Sequence, residues 1–294
     1  MGASLLTGAA LSVCACGRQR PGSGHAGSAA REGEPRGEAS AFTAPHPSAI
    51  PSAIPSAIPF AIPSSGPSPA RAAAFSERAD ERAALVRELT EQGLSDPLVL
   101  RAMRTVPRHG FVLPGLSSMA YLDRPLPIVG GQTISQPYVV AFMTETAKPT
   151  ARSKCLEIGT GSGYQAAVLA ELCPRTFSIE YLPEVARFGE KNLRQLGYGA
   201  DRVALRVGDG YAGWPEEAPF DVIVVTAAPS HVPEPLLAQL TIGGRLVIPV
   251  GPSNETQELE RWTRLRAGAN REAFRVEKLL PVRFVPFLGE HPAQ

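Results

Sequence analysis

Only four cysteines occur in 294 residues: Cys14 and Cys16 near the N-terminus, Cys155 in a predicted strand and Cys173 after a predicted helix. They are too few and too scattered for a disulfide framework. No His/Cys cluster has zinc spacing, so no metal site is expected. A charge excess is missing as well. Lys and Arg number 29 against 28 Asp and Glu, a net charge of +1, which argues against a nucleic-acid footprint. No stretch approaches the ~18 consecutive apolar residues of a standard membrane-spanning helix, so none is expected.

Proline is abundant, and much of it is concentrated near the N-terminus. "PSAIPSAIPSAIPFAIP", Pro47 to Pro63, repeats every four residues with proline in each unit. That density forbids a helix and spoils strand pairing, so an extended tether at ~3.1 Å per residue is expected. Arg18 to Ser40 is rich in Gly, Ala, Glu and Arg and reads as disordered. Residues 1–75 are therefore expected to be a disordered extension, and residues 76–294 a single folded domain. The segment "ASLLTGAALSVCAC" is mildly apolar, and its Val13-Cys14-Ala15-Cys16 resembles a bacterial lipoprotein cleavage box. No Lys or Arg precedes it, whereas an export signal carries a charged first region. Leu6 stands where N-myristoylation needs Ser or Thr. The expected location is the cytoplasm, with export anchored at Cys16 as the alternative; a mis-chosen start codon would give the same appearance.

From Ser76 the pattern is globular. Ser76 is placed to cap a helix carrying Ala83, Leu85, Val86 and Leu89 at helical spacing. Asp96-Pro97 reads as N-cap and N1 of a second helix that stops before Pro107. After an irregular stretch to Pro137, a helix is expected over Tyr138–Thr146. Strands then alternate with helices: Lys154–Ile158, Thr176–Glu180, a helix over Pro183–Leu196, Val203–Val207, Asp221–Val225, a helix over Glu234–Leu240, and Arg245–Val250. The unbroken Val-Ile-Val-Val run suits a strand buried on both faces. Glu258–Leu265 and Phe274–Leu280 read as an antiparallel pair. The expected fold is α/β: a doubly wound, mostly parallel, Rossmann-like sheet with an antiparallel C-terminal strand pair and an N-terminal helical subregion.

Ligands of such sheets bind at the carboxyl ends of the strands. The first strand runs into "CLEIGTGSGYQAAVLA", with Gly159, Gly161 and Gly163 at a spacing of two. A dinucleotide fingerprint would need Gly or Ala at the position of Tyr164, which is far too large for it. Glu157, two residues before the first glycine, completes an E-x-G-x-G-x-G pattern that resembles motif I of class I S-adenosylmethionine methyltransferases. An acid there suits the ammonium of a methionine tail. Glu180 ends the second strand, where it can accept from both ribose hydroxyls. Asp209, between Gly208 and Gly210, ends the third, where it can accept from the adenine amine. Thr160, Tyr181 and Gly210, with the backbone of Thr133 and Ile134, complete the expected cofactor set. Either of Glu180 and Asp209 alone could be a solvated strand end; a glycine turn and two acids at three successive strand ends favour a cofactor site.

Further segments narrow the resemblance: "VPRHGFV" (Val106–Val112), "GGQTISQPYVVA" (Gly130–Ala141), "GDGYAGWPEEAPFDVIVVTAAP" (Gly208–Pro229), "LLAQLTIGGRLVIPVG" (Leu236–Gly251) and "VRFVPF" (Val282–Phe287). In collinear order over roughly residues 76–290 the chain resembles the protein-L-isoaspartate O-methyltransferases, most specifically in Thr133–Pro137. The resemblance implies S-adenosylmethionine as cofactor, isoaspartyl peptides and proteins as partners, and methylation of the isoaspartyl α-carboxylate as a repair step; a monomer is expected, although the sequence itself does not reveal oligomeric state. It marks Ser135 as the active-site residue. A carboxylate with pKa near ~3.5 is already ionised at pH 7, so a neutral hydroxyl that orients it suffices. Without the resemblance Ser135 reads as an ordinary turn serine before a helix. His109 is expected to be a structural hydrogen-bonder, His231 a loop residue, and Trp214 and Tyr211 packing residues. Two alternatives stand beside this reading: a class I methyltransferase of small molecules, and a non-catalytic binding module of the same fold.

Overall fold

A computed structural model describes residues 69–252, 255–268 and 270–289. The Cys14–Cys16 box, the Arg18–Ser40 stretch and the Pro47–Pro63 repeat lie outside the described residues.

Three helices open the described chain: α1 (Pro69–Ser76), α2 (Ala79–Glu91) and α3 (Pro97–Thr105). The first is a correction, since helix begins before the expected boundary at residue 76. Ser76 does not cap α2; its hydroxyl turns back to the carbonyl of Ala73 at 2.9 Å. The N-cap of α2 is Arg78, with φ 53°, held by its guanidinium on Glu81 at 2.6 Å. Phe75 of α1 faces Tyr198 with ring centroids 6.3 Å apart. Leu85, Val86 and Leu89 of α2 are buried as their spacing predicts. Asp96 caps α3 by accepting the N–H groups of Leu98 and Val99 at 2.8 and 3.3 Å. Such a cap stabilises a helix by about 1 kcal/mol.

A short hairpin follows, β1 (Leu126–Pro127) with β2 (Thr133–Ile134), and then α4 (Pro137–Ala147). The main sheet contains β3 (Lys154–Ile158), β4 (Arg175–Glu180), β5 (Val203–Val207), β6 (Phe220–Val225), β7 (Leu240–Val250), β8 (Gln257–Arg264) and β9 (Phe274–Val282). Helices α5 (Tyr164–Ala170), α6 (Pro183–Gln195) and α7 (Glu234–Ala238) connect the parallel strands β3 to β4, β4 to β5 and β6 to β7. The sheet order is β5-β4-β3-β6-β7-β8-β9. Pairing is parallel from β5 to β7 and antiparallel from β7 to β9. This is the doubly wound sheet with an antiparallel C-terminal pair that the sequence predicts. Chain order reverses between β3 and β6, and a ligand crevice belongs at their carboxyl ends.

Alternation places Val222 and Val224 in one core, with Cys155 and the N-terminal helices, and Ile223 and Val225 in the other, with Leu156, Leu246 and Leu236. Both faces of β6 are therefore buried. One boundary differs from expectation: β7 starts at Leu240, not Arg245. Its pairing slips between Phe220 and Val222 of β6, and the bulge admits Thr241–Gly244. Thr241 donates to Asp221 at 3.1 Å, which ties the extra residues to β6. The scattered cysteines also hold a surprise: Cys155 of β3 and Cys173 after α5 form a disulfide that closes the first strand–turn–helix unit.

Candidate active site

The glycine turn after β3 forms one wall of an open cleft with about 740 Å³ of space, its solvent-filled mouth included. Gly159, Gly161 and Gly163 all have positive φ, at 96°, 55° and 89°, so the spacing of two is a run of left-handed positions that glycine alone adopts without strain. They do different work. A Cβ on Gly161 would make only ordinary van der Waals contact, with Ile128 at 3.8 Å and the Gly159 carbonyl at 3.9 Å. A Cβ on Gly163 would come within 2.8 Å of Leu193 and 3.1 Å of the Gly189 carbonyl in α6. Gly163 is absent from the cleft wall; it lets α5 approach α6.

Glu157 is fully buried under this turn. Its Oε2 accepts from Ser178 Oγ at 2.5 Å, and Ser178 Oγ lies 2.6 Å from Thr160 Oγ1. Glu157 is among the residues that line the cleft, and its buried Oε1 has no hydrogen-bond partner among the described residues. Burial pushes the carboxyl up to about 8; the Ser178 bond and the backbone of Ala166 oppose this, and nearby Glu180 reinforces it. Glu180, also buried, accepts the N–H of Gly161 at 2.9 Å with one oxygen and that of Leu182 at 3.1 Å with the other. The acid at the end of β4 thus holds the glycine turn in shape while facing the cleft. Asp209 is half-buried, and its Oδ1 accepts from the N–H of Tyr211 at 2.8 Å. Asp209 does not line the cleft, whereas its neighbour Gly210 does.

Thr133, Ile134 and Ser135 line the same cleft. The hairpin pairs Thr133 with Pro127 and Ile134 with Leu126, and it presents Ser135 just before α4. Of the expected site residues, Thr133, Ile134, Ser135, Glu157, Gly159, Thr160, Gly161, Glu180, Tyr181 and Gly210 therefore meet in one cleft, and Gly163 and Asp209 stand outside its wall.

Several wall residues escape the sequence reading. Thr226, just past β6, donates to the Gly159 carbonyl at 2.7 Å; the strand-end rule applied to the fourth parallel strand would have found it. Gln165 donates to Thr144 at 3.0 Å, and its own carbonyl oxygen has no partner among the described residues. Val285 to Leu288 close the cleft, held where Ala228 donates to the Val285 carbonyl at 2.9 Å and accepts from Phe287 at 3.1 Å. No periodicity marks that segment, because its place depends on a bridge to a residue far away in the chain.

The other candidates are structural. His109 Nδ1 lies 2.7 Å from the Tyr121 hydroxyl, and burial, with Arg78 and Arg82 nearby, pushes its pKa down. His231 sits 3.4 Å from the Tyr211 hydroxyl. Neither histidine lines the cleft. Trp214 packs edge-on against Phe177 with centroids 5.3 Å apart. Tyr164, the residue that breaks a dinucleotide fingerprint, is buried edge-on against Phe111, and the Arg108 guanidinium lies 4.9 Å from its ring centre.

Residues 80–291 match the family model described as protein-L-isoaspartate(D-aspartate) O-methyltransferase. The chain is 52% identical over 222 residues to the protein-L-isoaspartate O-methyltransferase of Opitutus terrae, covering 75% of this chain and 92% of that one. To the protein of the same name from Gloeobacter violaceus it is 51% identical over 207 residues, covering 70% and 98%. A solved protein-L-isoaspartate O-methyltransferase superposes with a TM-score of 0.62 at 30% identity, covering 71% of this chain and 66% of that one. A Plasmodium falciparum structure, described as a putative protein-L-isoaspartate O-methyltransferase in complex with S-adenosyl-L-homocysteine, shares the fold with a TM-score of 0.59 at 24% identity, covering 70% and 97%.

Proposed function

The chain belongs to the protein-L-isoaspartate(D-aspartate) O-methyltransferase family, and from that premise we propose which of its residues carry the reaction. The enzyme methylates the α-carboxylate of L-isoaspartyl residues in damaged peptides and proteins, with S-adenosylmethionine as donor. The residues present fit that donor: the Glu157 oxygen without a hydrogen-bond partner offers a place for an ammonium, and Gly161, without a side chain, lines the cleft and admits close approach to its backbone.

Bound S-adenosylmethionine supplies a methyl group on a sulfonium, an excellent leaving group. Glu157 would hold the ammonium of the methionine tail, and Glu180, which already accepts from Gly161 and Leu182, would accept from the ribose hydroxyls with its remaining lone pairs. Gly210 would give the adenine ring room; Asp209, which stands outside the cleft wall, would reach the adenine amine only at the edge of the cleft. Ser135 donates one hydrogen bond to the acceptor carboxylate and aligns it for in-line attack. An ionised acceptor so aligned would need no base among the residues of the cleft. Orientation of this kind can supply up to about 7–11 kcal/mol of a barrier. The observation that supports the reading is Ser135. It lines the same cleft as the glycine turn, Glu157 and Glu180, and it is half-buried there.

The test is transfer of tritiated methyl from S-adenosylmethionine to an isoaspartyl peptide, with the matching aspartyl peptide as control. Ser135→Ala removes one bond to a charged group and is expected to cost roughly 1.5–3 kcal/mol, about one to two decades in kcat/KM. Ser135→Thr keeps the hydroxyl and is expected to retain part of the rate. An unchanged rate in Ser135→Ala would make the serine a turn residue only.

We assign the enzyme to the cytoplasm, as a monomer. No helix among the described residues is long and apolar enough to cross a membrane. The Cys155–Cys173 disulfide is the observation that favours the alternative, export with lipid on Cys16, because disulfides persist in oxidising compartments. Fractionation of the native host decides: a lipid-labelled, membrane-bound product would replace the cytoplasmic assignment.

A further inference from the structure

The segment that presents Ser135 is held from outside the cleft. Helix α4 starts with Gln136 at the N-cap, and the Gln136 side chain makes no cap bond. The cap comes from Asp123 instead. Its Oδ1 accepts the N–H of Tyr138 at 2.7 Å, and its Oδ2 accepts from Gln136 Nε2 at 2.9 Å and from Gln92 Nε2 at 3.3 Å. Gln136 follows Ser135 directly, and Tyr138 lies in the first turn of α4. A carboxylate at a helix N-terminus satisfies orphan N–H groups and opposes the positive end of the helix dipole. On the other side of Ser135, the hairpin with β1 pins Thr133 and Ile134. The serine is therefore clamped from both directions, by backbone pairing before it and by one carboxylate after it. Arg108 adds to the arrangement. It is fully buried, its Nε and Nη1 have no partners among the described residues, and it lies close enough to be attracted by the Asp123 charge.

We propose that Asp123 is a positioning residue for Ser135: it bonds Gln136 and Tyr138 and so fixes where the Ser135 hydroxyl meets the substrate carboxylate. The inference rests on the reading of Ser135 as the group that orients the acceptor. In-line displacement is sensitive to placement, and an ångström of misplacement can cost about a hundredfold in rate. Asp123 itself is absent from the cleft wall, so its effect has to travel through the segment it holds.

A double-mutant cycle on the full chain tests this, with methyl transfer to the isoaspartyl peptide as the readout. Asp123→Ala in the wild-type background is expected to lower kcat/KM about tenfold, which corresponds to ~1.4 kcal/mol. In the Ser135→Ala background the same change is expected to cost less than about twofold, because the hydroxyl it positions is gone. Asp123→Asn is expected to recover most of the loss. Its amide oxygen can still accept from Tyr138, and Gln136 can turn its own amide to accept from the new NH₂ group. Equal losses in both backgrounds, or an Asn variant as slow as the Ala variant, would overturn the proposal while leaving Ser135 in its role. A wild-type rate in Ser135→Ala would remove both readings together. If thermal unfolding shows that Asp123→Ala does not fold, Gln136→Ala carries the same cycle. That change cuts the link nearest Ser135 and leaves the Tyr138 cap in place, and the same non-additivity is expected of it.

Discussion

Glu157 is the residue whose chemistry is most at odds with its surroundings. Its carboxyl, fully buried, is pushed up to about 8. Between the ordinary carboxylate range and about 8 the folded chain holds a proton that the unfolded chain has released. Stability from this group is therefore complete at acid pH and is lost as pH rises through about 8. Glu157→Gln removes that slope. Without ligand, its melting temperature is expected to exceed that of the wild type at about pH 8 to 9, with the gap closing toward pH 5. Donor binding should follow the opposite course. An ammonium beside Oε1 favours the ionised acid, so binding releases a proton, and affinity is expected to rise from about pH 6 to about pH 7.5 in the wild type only. Calorimetry in buffers of different ionisation enthalpy reads the proton directly. Absence of proton release would remove Glu157 from the ammonium site. The E-x-G-x-G-x-G spacing points to an acid at this position. Its unpartnered oxygen is visible only once β4 supplies Ser178 for the other one.

At the scale of elements, the three glycines of the turn divide into two classes that the sequence spells identically. Gly163→Ala forces a side chain into a left-handed position and against Leu193 and the Gly189 carbonyl of α6. Gly161→Ala meets the same backbone strain, about 1–2 kcal/mol, but its methyl meets nothing closer than ordinary van der Waals contact at 3.8 Å. Gly163→Ala is therefore expected to lower the melting temperature by more than Gly161→Ala. Gly161→Ala is expected to weaken S-adenosylmethionine binding more, since its methyl enters the cleft. Thermal unfolding and calorimetry on the two variants separate the roles; the reverse order would mean that the turn is read wrongly. The strands themselves were legible. Val-Ile-Val-Val in β6 reads as buried on both faces, and Val203–Val207 agrees end for end. Caps were legible where the capping residue is local, as at Asp96, and hidden where it is remote, as with Asp123 for α4.

For the whole molecule the question is where the enzyme begins. The expected boundary at residue 76 cuts through a contact. Phe75 meets Tyr198, and its carbonyl accepts from Arg82 of α2. A chain beginning at Pro69 is expected to keep wild-type turnover and melting temperature. One beginning at Ser76 is expected to melt several degrees lower, because it loses that burial and leaves a guanidinium bond of the buried Arg82 unmade. Loss of turnover in the Pro69 chain would show that the proline-rich segment belongs to the catalytic unit.

Local order decided much of this protein. Apolar alternation, proline and glycine positions and acids at strand ends determined the parallel sheet, its strand sequence and most of the cleft wall. Each depends on residues near one another in the chain, so a linear reading can find it. The tertiary structure alone decided the pairing of Cys155 with Cys173, the closure of the cleft by Val285–Leu288 and the cap that Asp123 places on α4. It also decided which glycine faces ligand and which faces α6. Those outcomes turn on which side chains the packed layers bring within about 3 Å, and a distance across the fold leaves no periodic trace in the sequence.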